Sequence, residues 1–195
     1  MNRRFACDFH PVILIDEVYQ VLDFTSKQSS MQKPTHRITI GRYNEKRPYL
    51  YHQSMFDNSR HYHMGIDLGA PAGTNIHAFD DGEIFLFTEH KTPGDYGPTI
   101  ITKHQIEGID LYALHGHLSK DSLTQIKCGQ QIKKGEVFAT IGDQFENGGW
   151  PPHVHFQLSY KAPKTANMPG VVSEQDLKSA LSIYPDPRII LGPIY

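Results

Sequence analysis

The fold of this chain is decided by one stretch, Trp150-Pro-Pro-His-Val-His-Phe-Gln-Leu158. Two prolines stiffen the approach to it, and the residues that follow alternate between polar and apolar as in a β-strand. Side chains two apart on a strand share a face, so His153 and His155 project side by side, while the apolar residues between and after them face a core. Because neutral imidazole is a common zinc ligand, the stretch indicates a metal site built on a rigid strand.

Histidine is abundant in this sequence, with 12 in 195 residues. At that frequency roughly one His-x-His pair is expected by chance, and a single short motif is weak support for a site. Three such pairs occur, namely His61/His63, His115/His117 and His153/His155. A lone histidine is more often a surface or hydrogen-bonded core residue than a ligand, so a metal site must be argued from how the pairs combine.

A second group of ligand-type residues surrounds His63. His63 and Asp67 are four residues apart, a spacing that puts them on one side of either a strand or a helix, and the glycines that follow His63 make a helix the poorer choice. Together with one histidine of the pair His153/His155 they give three nitrogen and oxygen ligands. A fourth position is then left for water, as catalytic zinc requires, and such a metal lowers the pKa of its water to about 7 and polarises a carbonyl.

The composition describes a globular protein. A chain of 195 residues with 38% hydrophobic and 21% charged residues is long enough for one domain with a sizeable core. The net charge of -2 excludes the basic footprint of a nucleic-acid binder, and the sequence contains no apolar run of membrane-spanning length. Two cysteines, Cys7 and Cys128, are too few for a cysteine-type zinc site. With no recognisable export signal, the expected location is cytoplasmic.

Short apolar segments separated by Gly, Pro and Asp turns predict a mostly β fold, an antiparallel sheet or sandwich-like domain. A hairpin turn is expected at Glu107-Gly108, and a single short helix over Ser173–Ser182, with Ser173 as its N-cap and Leu177, Ala180 and Leu181 on one face. The predicted strands are residues 11–15, 19–24, 37–41, 76–79, 83–88, 99–104, 109–117, 137–141 and 153–160.

The whole chain is interpreted as a single domain, because no linker or repeat interrupts it. Its expected parts are an N-terminal β segment and loop (1–59), a catalytic core (60–160), and a C-terminal helix and tail (161–195).

Four blocks of the sequence, in this order, resemble the lysostaphin-type (LytM-like) zinc metallopeptidases. Together they cover roughly residues 60–160, and four ordered blocks are far more specific than one motif. The blocks are His63–Thr74 continuing to Ala78–Ile84, then Tyr96-Gly97 with Thr99–His104, then Gly116–Ser119, and finally Gly129–Gly142 with Pro152–Phe156.

The resemblance implies that zinc is held by His63, Asp67 and His155, with His117 and His153 as unligated active-site histidines. In such sites the two free imidazoles take the proton of the zinc-bound water and stabilise the oxyanion of the tetrahedral intermediate. The implied activity is endopeptidase cleavage of short Gly- or Ala-containing peptides, with peptidoglycan cross-links as the family precedent and a peptide as the partner. In some relatives an N-terminal segment plugs the cleft, a role for which residues 26–60 are the candidates here.

Part of the sequence departs from the usual family pattern. The segment Glu146–His153, together with Pro169-Gly170 and Tyr184–Pro187, is similar to the version of this domain that is fused to aminotransferase- and kinase-like modules in large multidomain proteins. That similarity puts peptidoglycan as the substrate in doubt and leaves the zinc chemistry unchanged.

Two other interpretations compete with the peptidase. One is a non-catalytic binding module on the same scaffold, as in degenerate relatives; those typically lack metal ligands, whereas every ligand position is filled here. The other is a cupin-type metal barrel, because Gly108…His115-Gly-His117…Asp121…Gly129 resembles the first cupin motif. Its spacing is off by a residue at both ends, and aspartate replaces the expected glutamate.

Overall fold

An eight-stranded sheet is the framework of the molecule, seen here in a computed structural model that describes residues 5–51 and 59–195. Neighbouring strands run antiparallel, except that β1 and β2 are parallel. In hydrogen-bonded order the strands are β1 (Tyr19–Val21), β2 (Ile38–Gly41), β4 (Ile66–Gly69), β11 (His153–Ser159), β8 (Ile109–Gly116), β7 (Pro98–Ile106), β6 (Gly82–Glu89) and β9 (Gln131–Ile132).

Two small sheets and a few short helices complete the fold. The strand pairs are β5 (Asn75–His77) with β10 (Val137–Thr140), and β3 (Arg60–His63) with β12 (Val171–Ser173). The helices are α1 (Lys27–Ser30), a 3-10 turn (Lys120–Leu123), α2 (Leu177–Ile183) and α3 (Arg188–Leu191). Within the described ranges, no helix is both long and apolar enough to cross a bilayer.

The sequence prediction of a mostly β fold with a C-terminal helix is confirmed. The hairpin at Glu107-Gly108 joins β7 to β8, and both of its residues have positive φ, 49° and 79°. Positive φ at both central positions is the requirement of a type I′ turn, whose twist matches that of the flanking strands.

The predicted strand over residues 11–15 is wrong. Val12 and Ile13 are both buried although they are adjacent, and Leu14 is exposed, so the side chains do not alternate as a strand requires. The segment bends across the core, held by single backbone hydrogen bonds such as the one from His77 N to Val12 O, 2.8 Å. The strand predicted over 19–24 also ends early, at Val21.

The predicted C-terminal helix begins at Leu177 and not at Ser173. The Ser173 hydroxyl accepts a hydrogen bond from Asp176 N, 3.2 Å, and donates to Asp176 Oδ2, 2.7 Å. These bonds close the turn that precedes the helix. Ala180 is buried but Leu181 is more than a third exposed, so the apolar face is narrower than expected.

The central strand β11 divides the molecule into two sides. Val154, Phe156 and Leu158 are fully buried in the main core. His153 and His155 alternate with them and lie on the opposite face of the sheet, as the strand period requires. One face of the sheet is therefore structural, and the other carries the polar site described next.

Candidate metal centre and catalytic site

Three predicted metal ligands converge on one point. His63 Nε2 lies 3.0 Å from His155 Nδ1 and 3.1 Å from Asp67 Oδ1, and His155 Nδ1 lies 3.1 Å from Asp67 Oδ1. Ligand atoms about 2.0–2.1 Å from a tetrahedral zinc are roughly 3.3 Å apart, so the three atoms have nearly the required spacing. In the part of the chain that the structure describes, His63, Asp67 and His155 are the group of three side chains whose ligand atoms lie close enough together to hold a metal ion.

Strand register brings the three ligands together. His155 on β11 is paired directly with Asp67 on β4, and His63 lies at the end of β3, one short turn before β4. Gly65 in that turn makes room for the site, because a Cβ there would lie 2.6 Å from the His155 ring. Gly65 thus allows the predicted ligand His155 to approach the turn closely.

The chain fixes the tautomer of both histidine ligands. The Arg42 carbonyl can only accept a hydrogen bond, so His63 Nδ1–H donates to it, 2.9 Å, and leaves the Nε2 lone pair for the metal. His155 Nε2–H donates to Gln157 Oε1, 3.0 Å, which leaves Nδ1 for the metal. Such partners orient metal-binding histidines and raise their affinity.

Asp67 is held as a carboxylate by a buried arginine. Arg47 Nη1 donates to Asp67 Oδ2 at 2.7 Å, and Oδ1 faces the two histidines. Burial alone would raise the pKa of Asp67, but its interactions with His63 and with the charged Arg47 outweigh burial and lower that pKa well below its usual value. The carboxylate is therefore ionised at neutral pH, as a metal ligand must be.

The two predicted catalytic histidines lie beside the ligands. The rings of His117 and His153 are 4.3 Å apart, and His153 Nε2 is 3.8 Å from Asp67 Oδ1. His117 Nδ1–H donates to Asn147 O, 2.8 Å, and His153 Nδ1–H donates to Pro151 O, 2.7 Å. In each ring Nε2 is then the nitrogen with an available lone pair.

Burial keeps three histidines of the site, His63, His117 and His153, in the neutral form. Burial lowers the pKa of His63 to about 4, with help from the charge of Arg47. Burial also lowers the pKa of His117 and of His153, with further lowering of the former by its neighbour His153. Neutral imidazoles are what metal binding and proton acceptance both require.

His115 does not join the site. It faces Phe156 in the β8–β11 register, and its ring lies 5.3 Å from Phe156 and 5.0 Å from Phe138, inside the core. On a regular strand His117 would share that face, but β8 ends at Gly116 and His117 takes a φ of +63°. This left-handed residue turns the second histidine of the pair toward His153.

A cleft of about 740 Å³ contains the site. One wall comes from the N-terminal segment, including Leu22, Phe24 and Tyr51. Trp150 packs against this wall, with its ring 6.4 Å from Tyr51 and 6.2 Å from His117. Several residues of the expected plug, including Ser30, Gln32 and Leu50, line the cleft; residues 52–58 of that segment lie outside the described ranges.

Sequence reasoning missed several residues that build the site. Arg47 and Tyr51 belong to a segment that has no periodicity, so no pattern marked them. Gln157 was detectable in principle, because it is two residues from His155 on the same strand face. Asn147, whose carbonyl accepts the hydrogen bond from His117, lies in a Gly-rich turn that carries no motif.

The sequence model of peptidase family M23 matches residues 61–168, a range that includes all the predicted ligands and catalytic histidines. The chain belongs to peptidase family M23. The predicted likeness to lysostaphin-type metallopeptidases is thereby confirmed, and the cupin interpretation is wrong. The physical reason is that the two histidines of its motif, His115 and His117, lie on opposite faces of the sheet.

Relatives of this M23 chain include two characterised bacterial proteins. It is 33% identical over 96 residues to the cell division protein DipM of Caulobacter vibrioides, covering 49% of this chain and 14% of that protein. It is 31% identical over 110 residues to the DD-carboxypeptidase/endopeptidase Mpg of Neisseria meningitidis serogroup B, covering 56% of this chain and 23% of that protein. The chain thus spans less than a quarter of the length of each.

Solved structures similar to this chain include the catalytic domain of the M23 protein EnpA from Enterococcus faecalis, with 25% identity, a TM-score of 0.48, and coverage of 70% of this chain and 88% of that one. The catalytic domain of lysostaphin from Staphylococcus simulans gives 20% identity and a TM-score of 0.47, covering 73% of this chain and 92% of that one.

Proposed function

We propose that this domain is a zinc-dependent endopeptidase that hydrolyses short Gly- or Ala-containing peptide bonds, with peptidoglycan cross-links as the substrate class. One observation carries the proposal. The atoms His63 Nε2, Asp67 Oδ1 and His155 Nδ1 lie within 3.1 Å of one another, beside two further imidazoles, His117 and His153, whose rings are 4.3 Å apart. A binding module has no need of that combination.

The donor set fits zinc. His63, Asp67 and His155 would hold the ion, because two neutral imidazoles and one carboxylate are ligands that catalytic zinc sites use together, with one position left open. When bound, zinc supplies Lewis-acid polarisation of a carbonyl and a lowered pKa for water at the open position. All other chemistry in the proposal comes from side chains of this chain.

His153 and His117 supply the proton transfers. Each is neutral with Nδ1–H held by a backbone carbonyl, so Nε2 can accept a proton from the attacking water. Once protonated, the same nitrogen donates to the oxyanion or returns the proton to the leaving amine, as general acid–base catalysis requires. The ring separation of 4.3 Å allows both histidines to act on one substrate carbonyl.

The substrate class rests on the relatives and on the shape of the cleft. Mpg is a DD-carboxypeptidase/endopeptidase, and ShyC of Vibrio cholerae, 29% identical over 111 residues, is a peptidoglycan DD-endopeptidase. Here the cleft is walled by Tyr51, Trp150 and Pro151 close to the ligands. Bulky rigid walls favour an extended peptide with small side chains next to the cleaved bond.

Digestion of purified muropeptides, oligoglycine and oligoalanine, followed by mass spectrometry, tests the proposal. The zinc-loaded protein should cut at least one of these substrates at an internal peptide bond, and a His153→Ala variant that still binds zinc should not. A folded, zinc-loaded protein that cuts none of them would favour the non-catalytic binding module.

A further inference from the structure

Arg47 precedes the residues that match the family model, yet it is built into the metal site. Its side chain is 3% exposed, which is rare for arginine unless its charge and its donors are all engaged. Every guanidinium nitrogen has an acceptor among the described residues. Because this buried, fully hydrogen-bonded cation lies next to the predicted metal ligands, its role is to be sought in how it affects those ligands.

Arg47 hydrogen-bonds to one of the three predicted ligands directly. It is linked to a second ligand because both donate to the same carbonyl oxygen. Nη1 donates to Asp67 Oδ2 at 2.7 Å. Nη2 donates to the Arg42 carbonyl at 3.1 Å, and the same oxygen accepts the His63 Nδ1–H bond at 2.9 Å. One planar group therefore fixes the carboxylate of one ligand and the hydrogen-bond partner of another.

The Arg47 guanidinium is also held by hydrogen bonds to residues that are not predicted metal ligands. Arg47 Nε donates to Glu45 Oε2 at 2.9 Å, and Glu45 Oε1 accepts from Arg42 at 2.7 Å. Nη1 also donates to Tyr51 Oη at 3.2 Å. Gly41 leaves the space for this cluster, since a Cβ there would lie 2.7 Å from Asp67 Oδ2 and 2.8 Å from Arg47 Nη2.

We propose that Arg47 is a positioning residue that makes Asp67 a one-oxygen ligand and holds His63 in the ligating tautomer. The inference rests on the proposed zinc site and adds a residue to it. With Oδ2 engaged by the guanidinium, only Oδ1 is offered to the ion. One-oxygen binding keeps a coordination position available for water and substrate.

Lysine cannot replace arginine in this role. Three acceptors, on Asp67, Arg42 and Glu45, lie around one planar fork, whereas an ammonium group is a point charge without that geometry. Loss of a partner that orients metal ligands typically lowers metal affinity or activity about 10- to 100-fold. Replacement of Arg47 should therefore weaken zinc affinity above all. In activity assays, kcat should fall by a larger factor than the factor by which KM changes.

The test measures zinc affinity by chelator competition for the wild type and for Arg47→Gln and Arg47→Lys, with circular dichroism to establish folding. The matched control is Arg188→Gln, because Arg188 forms a similar forked ion pair with Asp186, 2.6 Å from Nη2 to Oδ2, outside the cleft. We expect about 10- to 100-fold weaker zinc binding in both Arg47 variants and wild-type affinity in the control.

Each outcome decides the role of Arg47. Unchanged or tighter zinc binding by folded Arg47→Gln overturns it, and so does an equal loss in Arg188→Gln, which would mark a general loss of stability. If Arg47→Gln does not fold, Arg47→Lys decides by the same criteria, with the absorption spectrum of the cobalt-loaded protein reporting the ligand geometry. A wild type that binds no zinc overturns the proposed function as well, so the two failures are distinguishable.

Discussion

At the scale of single residues, the site is specified by hydrogen bonds to ring nitrogens. Three of its histidines, His63, His117 and His153, donate through Nδ1 to backbone carbonyls, and His155 donates through Nε2 to Gln157. A histidine presents one lone pair in its neutral form, so the partner of one nitrogen decides what the other can do. The partner of each ring thus decides which nitrogen the ring presents, and the position of that nitrogen separates the proposed ligands from the proposed bases.

Replacing the proposed bases should separate catalysis from metal binding. We expect His117→Ala and His153→Ala to retain zinc and to lose about a hundred- to a thousandfold in turnover, since each removes a proton acceptor or oxyanion donor. The measurement is kcat at one pH near neutrality, with zinc content determined on the same samples. His115→Ala is the comparison: if it abolishes turnover and His117→Ala does not, the assignment of the two histidines is wrong.

Gly65 should be needed for zinc binding because of the space beside His155. In Gly65→Ala the new Cβ would lie 2.6 Å from the His155 ring, and the ring must move away from the other ligands. Gly73→Ala is the matched control: its φ is +82° but nothing lies within 4 Å of its Cβ, so it should cost about 1 kcal/mol of stability and leave zinc affinity unchanged. Chelator competition and thermal unfolding measure the two effects; equal zinc affinities would contradict this view of Gly65.

Most of the predicted ligand set could be proposed from the sequence because the spacing of its residues is local. His63 and Asp67 lie four apart, and His153 and His155 two apart; the choice of His155 over His153 came from the family resemblance. Arg47 could not be found that way. Its role depends on a contact with Asp67, 20 residues away in the sequence, and such a contact leaves no periodic signal.

At the scale of secondary structure, the position of β11 between β4 and β8 is what assembles the site. Its register pairs His155 with Asp67 on one side and with Gly116 on the other. His117 follows Gly116 directly, so the end of one strand positions the second of the predicted catalytic histidines. Alternation within β11 was predictable from the sequence, whereas the neighbours of β11 are set by pairing over long distances in the chain.

The left-handed backbone at His117 should be measurable as strain. A side chain at φ +63° costs about 1–2 kcal/mol that glycine avoids, although glycine gives back part of this through its freer unfolded chain. We expect His117→Gly to be more stable than His117→Ala by about 0.5–1 kcal/mol. Urea unfolding of the two zinc-free variants measures the difference; an alanine variant as stable as the glycine variant would show that the backbone relaxes without cost.

At the scale of the whole molecule, two buried histidines outside the ligand set limit stability in acid. Burial lowers the pKa of His104 to about 4 and that of His115 to about 3, against about 6.5 for a free histidine. Between those values the unfolded chain binds more protons than the folded one, so stability falls as the pH drops from about 6.5 toward 4.

His115→Phe should weaken this acid sensitivity, because phenylalanine fills the space between Phe138 and Phe156 without a titratable group. We expect the fall in Tm between pH 7 and pH 4.5, measured in the presence of a chelator, to be smaller in this variant than in the wild type. His77→Phe, a substitution at another buried histidine, is the comparison. Identical pH profiles for His115→Phe and the wild type would contradict the assignment.

The central claim is that His63, Asp67 and His155 hold one zinc ion and that His117 and His153 do not. The most direct test is the zinc content of the purified wild type and of single alanine variants at these positions, measured by plasma mass spectrometry. We predict close to one zinc per chain in the wild type, His117→Ala and His153→Ala, and little zinc in His63→Ala, Asp67→Ala and His155→Ala. Full zinc retention in His155→Ala would contradict the account.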